Sequence, residues 1–280
     1  MTSTPPTSPS TLTLESHIRQ RLQAGATGSD QREILLMSHW VLGYPSLAAN
    51  REIVDQMVAN GVDLMELQIP FSEPVADGPI IAQANQAALD HGFRVADGLA
   101  FIEETVRRHP IPFLIMTYYN VLLAYGVEAF IREAVRLGVR GLIIPDLPPQ
   151  EAAQAMAWCR QWGNTPDGLA WIHLLTPTSS DARLQSIGAL ANGFCYCVAR
   201  KGVTGRQTRF DDTLNHFVAR CRRATPLPLA VGFGVKNAAD VRHLTGLAEI
   251  AVVGSAAMEI HQTQGTAAVG RFFAGLRSHP

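Results

Sequence analysis

Leu-Met-Glu-Leu-Gln-Ile-Pro-Phe-Ser-Glu-Pro-Val-Ala-Asp-Gly-Pro, residues 64–79, is the stretch from which the fold and the chemistry can both be read. Its first five residues form a short apolar strand that carries one carboxylate, Glu66. On a pleated strand Leu64, Glu66 and Gln68 share one face, and Met65, Leu67 and Ile69 share the other. A charge on a strand this apolar needs a structural or functional partner. The segment that follows carries a second acid, Asp77, on a loop longer than the roughly 2 to 6 residues usual between a strand and a helix. Pro70, Pro74 and Pro79 restrict their neighbours to extended or turn geometry, which holds the Asp77 side chain in place. Two acids therefore converge at one strand end.

Outward from this strand, apolar runs of four to eight residues recur, each followed by an amphipathic stretch, the pattern of a parallel sheet with helical crossovers. Strands are predicted at 35–41, 64–68, 113–116, 141–144, 170–175, 194–198, 229–232 and 250–253. Helices are predicted at 46–59, 81–91 with 96–108, 127–137, 149–162, 180–190, 211–223, 237–244 and 264–277. Eight βα units match an α/β TIM (β/α)8 barrel, although a doubly wound open sheet shows the same local periodicity. A further helix at 14–23 precedes the first strand and is expected to plug the N-terminal end of the barrel. Residues 1–13, rich in Thr, Ser and Pro, read as a flexible tail, with residues 14–280 as one barrel domain.

The composition agrees with a small-molecule enzyme. At 280 residues and 47% hydrophobic content the chain can bury one full-sized core. A formal net charge of −1 gives no field that would gather nucleic acid or anionic membrane. The four cysteines, Cys159, Cys195, Cys197 and Cys221, show no CxxC pairing and read as reduced core residues. The nine histidines show no HExxH spacing, so no metal is indicated. No apolar run near the N-terminus is long enough for a signal peptide or a membrane span, and a soluble cytoplasmic protein is expected.

In a barrel the loops at the C-terminal ends of the strands form the catalytic face. Glu66 and Asp77 follow strand two, Tyr118 and Asn120 strand three, and Asp146 strand four. Lys201-Gly202-Val203-Thr204-Gly205 follows strand six, Gly232-Phe233-Gly234 ends strand seven, and Gly254-Ser255 ends strand eight. Glycines in three adjacent loops allow backbone N–H groups to approach an anion, and a short helix starting at Ser255 aims its positive end at the same point, which makes a phosphate cradle.

These residues resemble the α subunit family of tryptophan synthase. The likeness rests on the Glu-Leu-x-Ile-Pro-Phe-Ser-x-Pro-x-Ala-Asp-Gly-Pro run at 66–79 and Met-Thr-Tyr-Tyr-Asn at 116–120. It continues through Pro-Asp-Leu-Pro at 145–148, Arg-Lys-Gly-Val-Thr-Gly at 200–205, Gly-Phe-Gly-Val at 232–235 and Gly-Ser at 254–255. It runs in register from about Leu14 to the C-terminus. The resemblance implies a lyase that splits indole-3-glycerol phosphate into indole and glyceraldehyde 3-phosphate without a metal or organic cofactor in this subunit. It implies Glu66 as general acid and base, Asp77 as acceptor of the indole N–H, and Tyr196 as a tyrosine beside the acid. Tyr118, Phe233, Thr204, His39 and Gln68 would line the substrate pocket, with Thr204 on a lid loop that closes toward Asp77. Gly205, Gly234, Gly254 and Ser255, with Phe233, would hold the phosphate. The implied partner is a pyridoxal-phosphate β subunit, in a heterotetramer that places the loop at 70–79 in the interface.

Four positions depart from the family pattern. Gln68 stands where a glycine is common, Glu73 replaces an aspartate, His39 replaces an apolar aromatic of the indole pocket, and Val41 replaces a threonine. Besides a coupled α subunit, the sequence leaves open a stand-alone indole-releasing lyase and a reshaped homologue that acts on a β-type partner. A sugar-phosphate isomerase or epimerase on the same barrel finds no metal ligands and no strand lysine.

Overall fold

The computed structural model describes residues 12–23, 33–198, 212–232 and 234–277. Its elements, in order, are α1 (Leu14–Gln23), β1 (Leu35–Val41), α2 (Leu47–Ala59), β2 (Leu64–Gln68), α3 (Pro79–Asp90) and α4 (Val95–Arg108). Then come β3 (Phe113–Met116), α5 (Tyr119–Tyr125), α6 (Val127–Arg136), β4 (Gly141–Ile143), α7 (Ala153–Trp162), β5 (Ala170–Leu175) and α8 (Asp181–Gly188). The chain ends with β6 (Cys195–Val198), α9 (Asp212–Ala224), β7 (Leu229–Gly232), α10 (Ala238–Leu244), β8 (Ile250–Val253), α11 (Ser255–Gln264) and α12 (Thr266–Arg277). The eight strands are all parallel, pair in sequence order, and close when β1 pairs with β8 through Leu35↔Ile250 and Met37↔Val252. Closure settles the choice between barrel and open sheet in favour of the (β/α)8 barrel.

Alternation along each strand sorts the side chains into two cores. Leu36, Met65, Leu67, Ile115, Cys195, Cys197 and Val231 face outward and join the layer between sheet and helices. Leu35, Met37, Leu64, Leu114, Ile172, Phe194, Ala230 and Val252 face inward and fill the barrel. Leu14 and Ile18 of α1 belong to this inner cluster, so the first helix does close the N-terminal end of the barrel. Full burial of two such side chains stabilises the plug by about 1.5–3 kcal/mol each. The end is also tied electrostatically: the buried Asp63 carboxylate accepts from the Leu36 N–H at 2.9 Å and pairs with Arg21 of α1 and Arg277 of α12.

The inner layers change character along the barrel. On β1 the inward series is Leu35, Met37, His39; on β2 it is Leu64, Glu66, Gln68, and the register sets His39 beside Glu66. Apolar side chains fill the N-terminal half, and the polar ones collect at the C-terminal mouth. All four cysteines are free and buried, as expected of core residues, and burial pushes the thiols of Cys159 and Cys195 up to about 12. Among the described residues no helix is long and apolar enough to cross a membrane.

Two stretches differ from the sequence expectation. Tyr119–Tyr125 forms a helical turn pair where none is predicted, and the Asp146 carboxylate caps it by accepting from the Tyr119 N–H at 2.9 Å. The helix expected from residue 149 begins at Ala153, because Pro148 initiates a turn whose carbonyl accepts from Glu151 and Ala152.

Candidate active site

At the C-terminal mouth lies a cavity of about 200 Å³ whose wall includes His39, Glu66, Asp77, Tyr196, Gly234 and Ser255. Glu66 comes from the middle of β2 and is 2% exposed. Its Oε1 accepts a hydrogen bond from the Tyr196 hydroxyl of β6 at 3.1 Å and faces His39 Nδ1 of β1, also at 3.1 Å. Among the described residues both contacts fall on Oε1 and none on Oε2. Burial, and then the neighbouring Glu66 charge, hold the Tyr196 phenol well above its ordinary value, so it stays a proton donor. The ring is held sideways by β7: a methyl group added at Gly232 would meet Tyr196 Cε1 at 2.8 Å.

Asp77 reaches the same cavity from the loop after β2, half-buried, with its backbone N–H bonded to the Pro74 carbonyl at 2.9 Å. Its Oδ2 accepts from Gln68 Nε2 at 2.7 Å and, more distantly, from Asn85 Nδ2 at 3.5 Å. Burial raises the Asp77 pKa, and the His39 charge with the Gln68 and Tyr118 hydroxyl or amide contacts only partly oppose it. The loop is stitched down from beneath. The fully buried Tyr118 accepts from the Ala76 N–H at 3.1 Å and stacks on Phe71 with ring centroids 5.2 Å apart.

The expected pocket residues thus divide. His39 lines the cavity and touches Glu66, whereas Gln68 and Tyr118 are absent from its lining and act on Asp77 and the loop from behind. Among the expected phosphate residues, Gly234 (φ +74°), Gly254 and Ser255 do meet at the cavity. Ser255 opens the ten-residue α11, whose first N–H groups have no acceptor within the helix and point outward. Thr204, Gly205 and Phe233 lie outside the described residues.

Asn85 is the residue that the sequence reading missed. It is buried on α3, donates to the Ile81 carbonyl of the same helix at 2.9 Å and accepts from the Phe71 N–H at 3.0 Å, so it ties the start of the Asp77 loop to the helix. The signal available was an amide on the apolar face that Ala84 and Ala88 also occupy.

The arrangement can hold an anion and exchange protons in one cavity, whose acid is 2% exposed and which a second carboxylate also lines. Comparisons with known proteins agree with this geometry. A family profile for the tryptophan synthase alpha chain matches residues 26–271. The tryptophan synthase alpha chain of Desulfotalea psychrophila is 47% identical over 95% of this chain and 100% of its own length. That of Desulforapulum autotrophicum is 48% identical over 94% and 99%. Among solved structures, Mycobacterium tuberculosis tryptophan synthase superposes with a TM-score of 0.83 at 31% identity, covering 94% of this chain and 96% of that one. A Pyrococcus furiosus structure described as the tryptophan synthase α2β2 complex gives 0.79 at 30% identity over 86% and 97%. The closed barrel, the paired acids at its mouth and these matches over nearly the whole length show that the chain belongs to the tryptophan synthase alpha chain family.

Proposed function

We propose that this chain is a carbon–carbon lyase that cleaves indole-3-glycerol phosphate to indole and glyceraldehyde 3-phosphate, the α reaction of tryptophan synthase. The observation that carries the reading is the Glu66 carboxyl, buried beside the Tyr196 hydroxyl at 3.1 Å and sharing one cavity with Asp77 and the N-terminus of α11. Glu66 gives a proton to C3 of the indole ring, which leaves positive charge at the ring nitrogen. Asp77 accepts the ring N–H and stabilises that charge. Glu66, now a carboxylate, takes the proton of the glycerol hydroxyl. The C–C bond breaks, its electron pair restores the aromatic ring, and the hydroxyl carbon becomes the aldehyde. The proton count is unchanged over the cycle. The phosphate belongs at Gly234, Gly254 and Ser255, where backbone N–H groups and the helix dipole favour an anion. Gly205, Phe233 and Thr204 complete this reading by family resemblance.

The reading extends to assembly with a pyridoxal-phosphate β subunit in a cytoplasmic heterotetramer. The loop between β2 and α3 presents Val75 at 68% exposure, an apolar side chain suited to a protein interface. Incubation of the purified chain with indole-3-glycerol phosphate, with indole read by chromatography, tests the lyase; absence of indole with and without a β subunit refutes it. Failure of the two chains to co-elute or to alter each other's rates argues for a stand-alone lyase.

A further inference from the structure

We infer that His39 and Glu66 work as one proton-sharing pair, in which His39 is the positioning partner that stores the proton Glu66 hands to the substrate. This inference rests on the lyase reading above and adds a residue to it. Three observations carry it. First, β1 and β2 pair with His39 opposite Glu66, and both side chains point into the barrel, so the contact is built by strand register instead of by a flexible loop. Second, His39 Nδ1 lies 3.1 Å from Glu66 Oε1, with the two side chains 5% and 2% exposed, so bulk water cannot exchange protons freely with either. Third, the opposite ring nitrogen, Nε2, is buried without a partner among the described residues, and so is Oε1 of Gln68, the next inward side chain on β2. A hydrogen on Nε2 would have that acceptor on the adjacent strand to turn to, and this tautomer would leave the lone pair of Nδ1 toward Glu66.

The chemistry balances without a further reactant. In the resting pair the exchangeable proton sits on His39, as imidazolium against carboxylate. Its transfer from Nδ1 to the carboxyl group creates the acid, which protonates indole C3. The carboxylate then removes the glycerol hydroxyl proton, and return of that proton to Nδ1 restores the start. In this scheme Glu66 exchanges the proton with the substrate, and His39, though it also lines the cavity, acts on that proton through Glu66.

The titratable groups that face the imidazole are Glu66 from β2, Asp77 from the following loop and, beyond Glu66, Tyr196 from β6. Among the described residues the β8 side brings Val252 and Gly254, neither of them titratable, and a methyl group added at Gly254 would meet His39 Cβ at 3.4 Å. Burial acts to lower the His39 pKa, but the charges of Glu66 and Asp77 and the Glu66 and Gln68 contacts outweigh it, and the net direction is upward. His39 therefore holds its proton beyond the ordinary histidine range.

The test is NMR titration of imidazole-labelled protein combined with kcat–pH profiles. In the wild-type protein His39 is expected to titrate above 6.5, and Glu66→Gln to move it down. The alkaline limb of kcat should follow the same group. His39→Asn, which keeps a hydrogen-bond donor but cannot titrate, should lower kcat by about 10- to 100-fold, leave KM within about threefold, and flatten that limb. A His39 that titrates at or below 6.5 and ignores Glu66→Gln overturns the inference, and so does a His39→Asn enzyme with wild-type kcat and an unchanged pH profile. The NMR arm needs no turnover. If the pair titrates as expected but no indole forms at any pH, the lyase reading fails and the pair stands.

Discussion

Gly232→Ala should weaken catalysis through Tyr196 without touching either acid. The glycine has no side chain on the barrel wall, and the added methyl would sit 2.8 Å from Tyr196 Cε1 and 3.1 Å from its hydroxyl oxygen. Carbon atoms rest at about 3.5–4.0 Å, so the ring must retreat by about 0.7 Å or more. The Tyr196 to Glu66 hydrogen bond starts at 3.1 Å, and a shift of that size carries it toward about 3.8 Å, outside bonding range. A hydrogen bond to an ionisable partner is worth about 1.5–3 kcal/mol, which corresponds to a fall of about 10- to 100-fold in kcat/KM. The assay is indole release in a double-mutant cycle with Tyr196→Phe. Once the hydroxyl is gone, Gly232→Ala has no bond left to break and should cost less than about threefold. An equal loss in both backgrounds would refute the reasoning and assign the effect to steric exclusion of substrate.

Two other perturbations probe the second acid and the scaffold. Asp77→Asn should slow turnover while binding of glycerol phosphate, measured by calorimetry, stays within about threefold, because the proposed anion contacts, Gly234 and Ser255, lie on other loops. On the outer side of β5, burial, and secondarily the charge of Arg183, press His173 down to about 4 from its ordinary 6.5. The native state then binds fewer protons than the unfolded chain between those values, so stability from this group is full above 6.5 and is lost as pH falls toward 4. Urea unfolding at pH 7 and 4.5 should show His173→Phe losing about 2–3 kcal/mol less than the wild type; identical losses would mean that His173 takes up its proton as readily in the folded protein as in the unfolded chain.

Much of the barrel was legible because buried parallel strands leave a plain trace. The apolar runs predict β1, β2, β3, β5, β7 and β8 to the residue, and β4 and β6 within one. Closure was not legible, since the pairing of Leu35 with Ile250 joins residues at opposite ends of the chain and leaves no local pattern. Short α5 was missed for a related reason: its cap is Asp146, supplied from the loop after a different strand. At the barrel mouth, the placement of Glu66, Asp77 and the glycine turns was readable from strand-end position and glycine spacing. The contact between His39 and Glu66 was not, because it depends on the stagger between β1 and β2. Asn85 escaped because a single amide on a helix face carries no sign of what it will hold.

The most direct test of the account is the rate of indole release by Glu66→Gln, measured beside the affinity for glycerol phosphate. Glutamine keeps the shape of the side chain but cannot carry the proton. The account predicts a loss of about 10²- to 10⁴-fold in kcat, the worth of a positioned acid and base, with the phosphate affinity unchanged. A Glu66→Gln protein that releases indole at the wild-type rate would contradict it.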